Sequence, residues 1–181
     1  MTLKQILPKF YAFLNGPLNN YVYYIDDDIK IQIDASFDIM KPVDIVILTH
    51  FHWDHIQAVN EIKRRTPCKI WATRETADNI KNANLFWLTK TNFDVDKILE
   101  DEEEIKTENF TFKVIKTPGH ASGALCLYDK EKQILITGDT WFKEGLYGRT
   151  DLPTGNTTEL QESIKKLKEL KVKYLCPAHQ Y

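Results

Sequence analysis

The sequence predicts an α/β fold in which strands and helices are mixed along one chain. Of its 181 residues, 43% are hydrophobic, which is enough for one sizeable core. A β-branched apolar run at 45–48 is typical of a buried strand, and apolar residues at helical spacing over 160–170 indicate a helix. No internal repeat or linker is visible, so we expect a single domain over residues 1–181.

The first half of the chain begins with a predicted hairpin and continues with short elements. Two β-rich runs, 21–25 and 29–33, are joined by three aspartates, which predicts two paired strands. The elements expected next are a strand at 45–48, a helix at 56–65, a strand at 69–72 and a helix at 74–82. Residues 84–96 fit no regular element. Asp34, after the second hairpin strand, could cap the next element, support a site from behind, or be a turn aspartate.

The second half is expected to contain more paired strands and one long helix. The acidic run 100–104 indicates a solvated loop or a strand edge. The elements expected next are a strand pair within 108–117, hairpin strands at 124–128 and 133–137, a helix capped by Thr157 or Thr158, and a strand at 174–176. The segment 145–156 is rich in glycine and too irregular for a regular element, so we expect a functional loop.

Charge and cysteine usage narrow the classes of partner. With 24 basic and 26 acidic residues, the net charge of -2 gives no electrostatic signature for nucleic acid or a membrane surface, so we expect a small-molecule substrate. Cys68, Cys126 and Cys176 are widely spaced, which is typical of reduced thiols. From the first ten residues we expect neither a signal peptide nor a membrane span, and we expect a cytoplasmic protein. The sequence does not indicate an oligomeric state.

Metal-ligating residues are concentrated directly after the apolar run at 45–48. Four of the seven residues from Thr49 to His55 can bind a metal, namely His50, His52, Asp54 and His55. In open α/β sheets, binding crevices form at the carboxyl ends of strands. Because imidazole is the commonest metal ligand in proteins, the cluster predicts a metal site.

Three more candidate ligands follow predicted turns or strands elsewhere in the chain. His120 and His179 follow the pairs Pro118-Gly119 and Pro177-Ala178, whose small or turn-forming residues allow a sharp bend. Asp139 follows the strand expected at 133–137. Five imidazoles and two carboxylates are therefore available, which is a ligand set for two metals.

These motifs resemble those of the metallo-β-lactamase fold superfamily over nearly the whole chain. The matching motifs are His-x-His-x-Asp-His at 50–55, Thr-Pro-Gly-His at 117–120, Gly-Asp-Thr at 138–140 and Pro-Ala-His at 177–179. The resemblance implies a four-layer αββα sandwich, in which two mixed β-sheets face each other and helices flank them. It also implies a metal site at one edge of the sandwich.

The resemblance further implies a dinuclear centre when the family's ligands are carried over by motif position. His50, His52 and His120 would hold one divalent metal, Asp54, His55 and His179 would hold the other, and Asp139 would bridge both. Zinc is expected, with iron and manganese as alternatives, because histidine and carboxylate ligands suit all three. Asp54 is also the candidate catalytic residue, which would orient a metal-bridging hydroxide and take part in proton transfer.

Within the superfamily, the chain is similar to the glyoxalase II-like hydrolases. The bridging position is Asp139 rather than the cysteine of the thiolate-using β-lactamases, and His52 stands where the diiron flavoproteins usually have glutamate. A chain of 181 residues also leaves no room for the inserted domain of the nucleic-acid-processing branches. The stretch 148–153, Gly-Arg-Thr-Asp-Leu-Pro, is similar to one in short bacterial and archaeal members, and persulfide dioxygenases share part of it.

This resemblance implies hydrolysis of a small thioester or ester, as in hydroxyacylglutathione hydrolases. The alternative is a mononuclear iron persulfide dioxygenase, because two histidines and a carboxylate also suit non-haem iron. A metal-binding protein without turnover is a third hypothesis. Tyr147 and Arg149 are candidates for contact with substrate, although for Arg149 a structural salt bridge to a nearby carboxylate is slightly favoured.

Two departures from the glyoxalase II pattern lead to further expectations. Full-length glyoxalase II has a C-terminal helical region that supplies basic residues for glutathione, whereas this sequence stops at Tyr181. We therefore expect no C-terminal substrate-binding domain. The last motif carries Ala178 where the family usually has glycine, and we expect the ligand to be kept unless that position requires a positive φ.

Overall fold

The computed structural model describes residues 2–16, 19–82 and 93–179. Most of the stretch 84–96, which fits no regular element, therefore lies outside the described residues. The strands are β1 Thr2–Leu7, β2 Phe10–Asn15, β3 Asn20–Asp26, β4 Lys30–Ile33, β5 Ile45–Ile47, β6 Lys69–Ala72, β7 Lys97–Ile98, β8 Glu104–Lys106, β9 Thr111–Lys116, β10 Leu125–Asp129, β11 Ile134–Gly138 and β12 Tyr174–Pro177. The helices are α1 Trp53–Ile56, α2 Val59–Arg65, α3 Arg74–Lys81 and α4 Thr157–Lys168, with a 3-10 turn at Lys143–Gly145.

The strands form two mixed sheets. Sheet 1 runs from β1 to β7 in chain order, antiparallel up to β4 and parallel from there on. Sheet 2 has the order β12-β11-β10-β9-β8, and its single parallel pair among the described strands is β11 with β12. Parallel neighbours require a crossover, and here helices provide several of these crossovers.

Residues of sheet 2 alternate between two hydrophobic clusters. In β10, Leu125 and Leu127 belong to the cluster that also contains apolar residues of sheet 1, so they lie between the sheets. Cys126 and Tyr128 pack instead with Leu167 of α4. This period of two is the alternation expected of a strand that is covered on both faces.

Sheet 1 shows the same alternation with the other helices. Ile45 and Ile47 of β5 face sheet 2, whereas Val46 packs with Val59 and Ile62 of α2. The layers are therefore α1 to α3, sheet 1, sheet 2 and α4. The predicted αββα sandwich of two mixed sheets is confirmed. None of the described helices is long and apolar enough to cross a membrane.

Most of the expected elements are present with slightly different ends, but three expectations are wrong. The helix expected at 56–65 is two helices, α1 and α2, because the chain turns at residues 57–58. The strand pair expected within 108–117 is β9 alone, since residues 107–110 form a turn and its partner β8 starts in the acidic run. The cap of α4 is Asn156, whose side chain accepts hydrogen bonds from the backbone of Thr158 and Glu159.

Asp27 connects turns that belong to different sheets. Its carboxylate lies in the β3–β4 turn and accepts hydrogen bonds from Thr107 Oγ1 at 2.7 Å and from the backbone and side chain of Asn109 at 2.7 and 2.8 Å. Lys9 Nζ donates to it at 2.8 Å from the β1–β2 turn. Burial alone would raise the pKa of Asp27, but the hydrogen bonds from Lys9, Thr107 and Asn109 hold that pKa well below its usual value.

We expect Asp27→Asn to lower the free energy of unfolding at pH 7 by about 2 kcal/mol, because charge-assisted hydrogen bonds are lost. The folded-state pKa lies below the unfolded value of about 3.9, so this stabilisation is complete above that pH and disappears as the pH falls through and below it. Urea unfolding at pH 7 and pH 3 measures the difference. Asp28→Asn is the control, because this exposed side chain accepts a hydrogen bond from the Glu108 backbone that an asparagine oxygen can keep. Equal losses for Asp27→Asn at both pH values would contradict the assignment.

Gly119 is a position where a side chain has no room. Its φ is +134°, and a Cβ atom there would lie 2.2 Å from the backbone nitrogen of Leu160 in α4. We expect Gly119→Ala to destabilise the protein by more than about 2 kcal/mol. Gly16→Ala is the matched control because no atom of the described residues lies within 4 Å of the position that its methyl group would take, and we expect a change below about 1 kcal/mol. Similar unfolding midpoints for the two variants would refute the packing argument.

Candidate metal centre

The first motif spans the loop after β5 and the start of α1. His50 lies in the loop, and His52 is the extended N-cap residue of α1, with φ of -64° and ψ of 146°. Asp54 and His55 lie within α1. The helix therefore begins inside the motif rather than after it, which corrects the expectation that it starts at residue 56. The first helical turn presents Asp54 and His55 as neighbours.

The other three candidate ligands come from sheet 2. His120 follows β9, Asp139 follows β11 directly, and His179 follows β12. Gly138, just before Asp139, has φ of +49°. Ala178, just before His179, is not among the positive-φ positions of the described chain, so the condition that would have excluded alanine there does not arise.

All seven predicted ligands meet at the edge where the two sheets adjoin. They form three overlapping groups whose ligand atoms lie within 4.8 Å of one another: His50, His52 and His120; His50, His55 and Asp139; and Asp54, His55 and His179. We call the first group the three-histidine triad and the last group the Asp54 triad. These are the two sets that the family resemblance implied.

Asp139 lies between the two triads. Its Oδ2 is 3.4 Å from His120 Nε2, in the three-histidine triad. Its Oδ1 is 3.3 Å from His55 Nε2 and 3.4 Å from His179 Nε2, in the Asp54 triad. Each carboxylate oxygen thus faces a different triad, which is the arrangement that a bridging ligand requires.

The buried polar atoms of the site fit metal ions. His50 Nε2, His55 Nε2 and Asp139 Oδ1 are buried and have no hydrogen-bond partner among the described residues. Buried polar atoms are rarely left unsatisfied, because losing water without a new partner costs free energy. A cation beside these lone pairs would satisfy all three atoms. The donor set of imidazole and carboxylate suits zinc, iron and manganese.

Hydrogen bonds behind the rings fix which imidazole nitrogen faces the site. The Nδ1 atoms of His55, His120 and His179 lie 2.8, 2.8 and 3.2 Å from Asp34 Oδ2, the Arg149 carbonyl and the Asn19 carbonyl. Since these oxygens can only accept, each Nδ1 carries the proton and each Nε2 keeps its lone pair for a metal. In His52 the nitrogen that faces the other ligands is instead Nδ1, which lies 2.9 Å from His120 Nε2.

Asp34 supports the site from behind, which settles the alternatives left open by the sequence. It has φ of +61°, and its carboxylate accepts hydrogen bonds from the backbone and hydroxyl of Thr49 at 2.8 and 2.9 Å. Its Oδ2 also binds His55 Nδ1. Asp34 caps no helix. It orients His55 and the loop that carries His50.

The two triads differ in electrostatics. Burial, followed by neighbouring imidazoles, lowers the pKa of His50 well below its usual value and that of His52 to about 4. Burial also acts to lower the pKa of His55, but Asp139, Asp34 and Asp54 together raise it. Burial opposes ionisation of Asp54, but His55 and His179 lower its pKa. Asp54 is therefore an ionised carboxylate, and His50 and His52 are neutral donors.

The structure gives Tyr147 and Arg149 different environments. The Tyr147 side chain is exposed. Arg149 donates two hydrogen bonds of 2.6 Å to Asp151, so the structural salt bridge that the sequence allowed for Arg149 is present. Both residues line a groove of about 740 Å³ beside α4. Gly148, between them, packs so closely that a Cβ would lie 2.2 Å from the Asp139 carbonyl. The groove therefore adjoins the site.

Sequence reasoning missed several residues that orient the ligands. Asn20 and the Asn19 and Arg149 carbonyls contact ligand residues, yet a backbone carbonyl carries no sequence signal. Asn20 had one available signal, because a polar residue at the head of an apolar strand is often held by a specific partner. Its partner, the Asp54 carbonyl, is 34 residues away and invisible without the fold.

Comparison with known proteins gives relatives in one family. Hydroxyacylglutathione hydrolase GloC of Haemophilus influenzae is 33% identical over 128 residues, which is 67% of this chain and 60% of that protein. The chain spans only about 60% of the length of this and two other curated relatives. The solved B3 metallo-beta-lactamase BLEG-1 superposes with a TM-score of 0.82 at 25% identity, covering 95% of this chain and 92% of that one.

A second solved structure adds evidence for the fold. TTHA1623, in a di-iron-bound form, has a TM-score of 0.79 at 24% identity and covers 94% of this chain and 92% of its own. The family model described as the metallo-beta-lactamase superfamily matches residues 26–179. Because that span is well over half of the chain and contains all seven candidate ligands, the protein belongs to the metallo-beta-lactamase superfamily.

Proposed function

We propose that this protein is a metal-dependent hydrolase that cleaves a small thioester or ester at a centre of two divalent metals. The observation that carries the proposal is the position of Asp139, with one oxygen facing each triad. The likeness to a hydroxyacylglutathione hydrolase supports the thioester. Zinc is the proposed metal, with iron and manganese as alternatives.

Each metal ion of such a centre would have its own set of protein ligands. His50, His52 and His120 would hold one ion, Asp54, His55 and His179 the other, and Asp139 both. Bound divalent metals supply an activated water near neutral pH and polarise a carbonyl group. The protein fixes the ligands through Asp34, Thr49 and the Arg149 carbonyl, so that no ligand has to reorganise during the reaction.

Asp54 is the proposed catalytic residue. Its side chain keeps 32% of its surface exposed, against 12% for Asp139 and 0% for His55, so it is reached by solvent and substrate. Its Oδ2 lies 3.2 Å from His179 Nε2. Because its pKa is lowered, Asp54 is ionised at neutral pH and can accept a hydrogen bond from a water molecule, which orients that water and its proton.

Tyr147 and Arg149 are proposed to contact the part of the substrate that lies outside the metal site. The groove that they line adjoins Asp139 through Gly148, and near the end of α4 it is lined by Glu169 and by two lysines, Lys165 and Lys168. These basic groups would favour an anionic substrate. A small thioester with a carboxylate-bearing thiol part therefore fits the charge of the groove.

Metal analysis of the purified protein, followed by assays on the same sample, tests this function. We expect close to two metal ions per chain together with turnover of thioesters or esters, and loss of turnover on treatment with a chelator. The same sample is also assayed with lactones, with a β-lactam and with a persulfide, and oxygen uptake is measured for the persulfide. One iron per chain with persulfide-dependent oxygen uptake would favour the dioxygenase, and metal without any turnover would favour a binding protein.

Substitution of the residue between the triads tests the dinuclear centre. We expect Asp139→Asn to reduce kcat for the best thioester by at least about 100-fold, since even groups that only support metal ligands are worth 10- to 100-fold. It should also reduce the bound metal below two per chain. Asp101→Asn, on the exposed acidic run, is the control, and an Asp139→Asn protein with full turnover would rule out the centre.

A pair of variants separates substrate contact from the salt bridge at Arg149. If the guanidinium group contacts an anionic substrate, Arg149→Gln should raise KM about 10-fold, which is the loss of one charged hydrogen bond. Asp151→Asn breaks the same salt bridge but keeps the guanidinium group, so we expect KM to change less than about 2-fold. Both residues are exposed, so the pair itself adds little stability. Equal effects of the two variants would assign Arg149 to the salt bridge.

A further inference from the structure

Asn20 is a buried polar residue that contacts the Asp54 triad without being a ligand. It has no exposed surface, and it starts β3 on sheet 1. Its side-chain amide donates to the Asp54 carbonyl at 3.0 Å and to Ser36 Oγ at 2.9 Å. Its backbone forms an isolated antiparallel bridge with His179. One residue therefore connects two members of the triad, which are 125 positions apart in the sequence.

The orientation of the amide follows from its partners. A backbone carbonyl can only accept a hydrogen bond, so the amide nitrogen of Asn20, rather than its oxygen, faces the Asp54 carbonyl. Two neighbouring contacts also link the start of β3 to the segment that carries His179. Tyr21 N donates to the Ala178 carbonyl at 2.6 Å, and His179 Nδ1 lies 3.2 Å from the Asn19 carbonyl. The start of β3 therefore contacts the backbone and the imidazole ring of His179, and it contacts the backbone of Asp54.

The three-histidine triad has other supports. His50 Nδ1 lies 3.1 Å from Thr49 Oγ1, and His120 Nδ1 binds the Arg149 carbonyl. These contacts come from the loop after β5 and from the loop before α4. A change at Asn20 should therefore disturb one triad and spare the other.

We propose that Asn20 is a positioning residue for the Asp54 triad, which sets the distance between Asp54 and His179 and so the affinity for the second metal ion. This inference rests on the proposed two-metal centre but not on thioester hydrolysis. Its physical basis is that Asn20 is fully buried, so breaking its part-buried hydrogen bond to the Asp54 carbonyl without a substitute leaves a buried donor unsatisfied; the bond therefore fixes the backbone of Asp54.

Zinc titration of the metal-free protein against a competing chelator tests this role. We expect two binding steps for the parent protein, and Asp54→Ala identifies the step that belongs to the Asp54 triad. In Asn20→Ala that same step should weaken by about 10- to 100-fold, while the other step stays within about 2-fold of the parent. Ser36→Ala is the matched control, because it removes the other acceptor of the same amide and leaves the bond to Asp54, and it should keep both steps.

Circular dichroism spectra and unfolding midpoints show which variants are folded. If Asn20→Ala does not fold, Asn20→Leu decides, since it nearly keeps the side-chain size but has no donor for the Asp54 carbonyl and adds no charge. A merely structural role would lower the unfolding midpoint and leave both zinc steps unchanged, or weaken both equally, and either result would overturn the proposal. Binding of only one zinc ion per chain by the parent protein would overturn the two-metal centre together with this inference, whatever the hydrolase assays show.

Discussion

The buried carboxylate of Asp34 is the interaction on which the geometry of the site depends. It accepts hydrogen bonds from Thr49 and His55, and through them it ties the end of β4 to the loop after β5 and to α1. A buried charge is stable only with such donors, and the left-handed backbone at Asp34 is one that aspartate tolerates better than most residues. Thr49 continues the connection, since its carbonyl accepts from Leu125 N of sheet 2 and its side chain packs where a Cβ at Gly138 would clash.

The site therefore depends on both sheets, and close backbone contacts hold them at the required distance. Gly138 approaches Thr49, Gly119 approaches the start of α4, and Gly148 approaches Asp139 and His120. Each contact leaves no space for a Cβ atom, which is why glycines directly precede His120 and Asp139. Side chains from distant motifs can then reach within a few ångströms of one another.

The sequence was sufficient to select the candidate ligands that the fold brings together and to predict most elements, because both leave strong local patterns. A run of β-branched residues predicts β5, and ligand residue types at strand ends predict the centre. Strands β1 and β2 were not predicted, since β1 is a largely exposed edge strand with no apolar alternation and gains its structure by pairing with β2. Asn156 was missed as a cap because two threonines follow it, and only the backbone decides which residue is outside the helix. The supports of the ligands are contacts between distant segments, which no local pattern records.

The two triads also differ in charge, and this difference shapes what the centre can do. The three-histidine triad has only neutral donors of its own, whereas the Asp54 triad contains a carboxylate and has Asp34 behind His55. Asp139 shares its charge between them. A cation in the Asp54 triad is thus better neutralised, although that triad is also the more exposed through Asp54. In the proposed two-metal centre, opposing effects of charge and solvent would bring the affinities of the two triads closer together. The supports that orient each triad, rather than the ligand types alone, would then decide whether both ions stay bound.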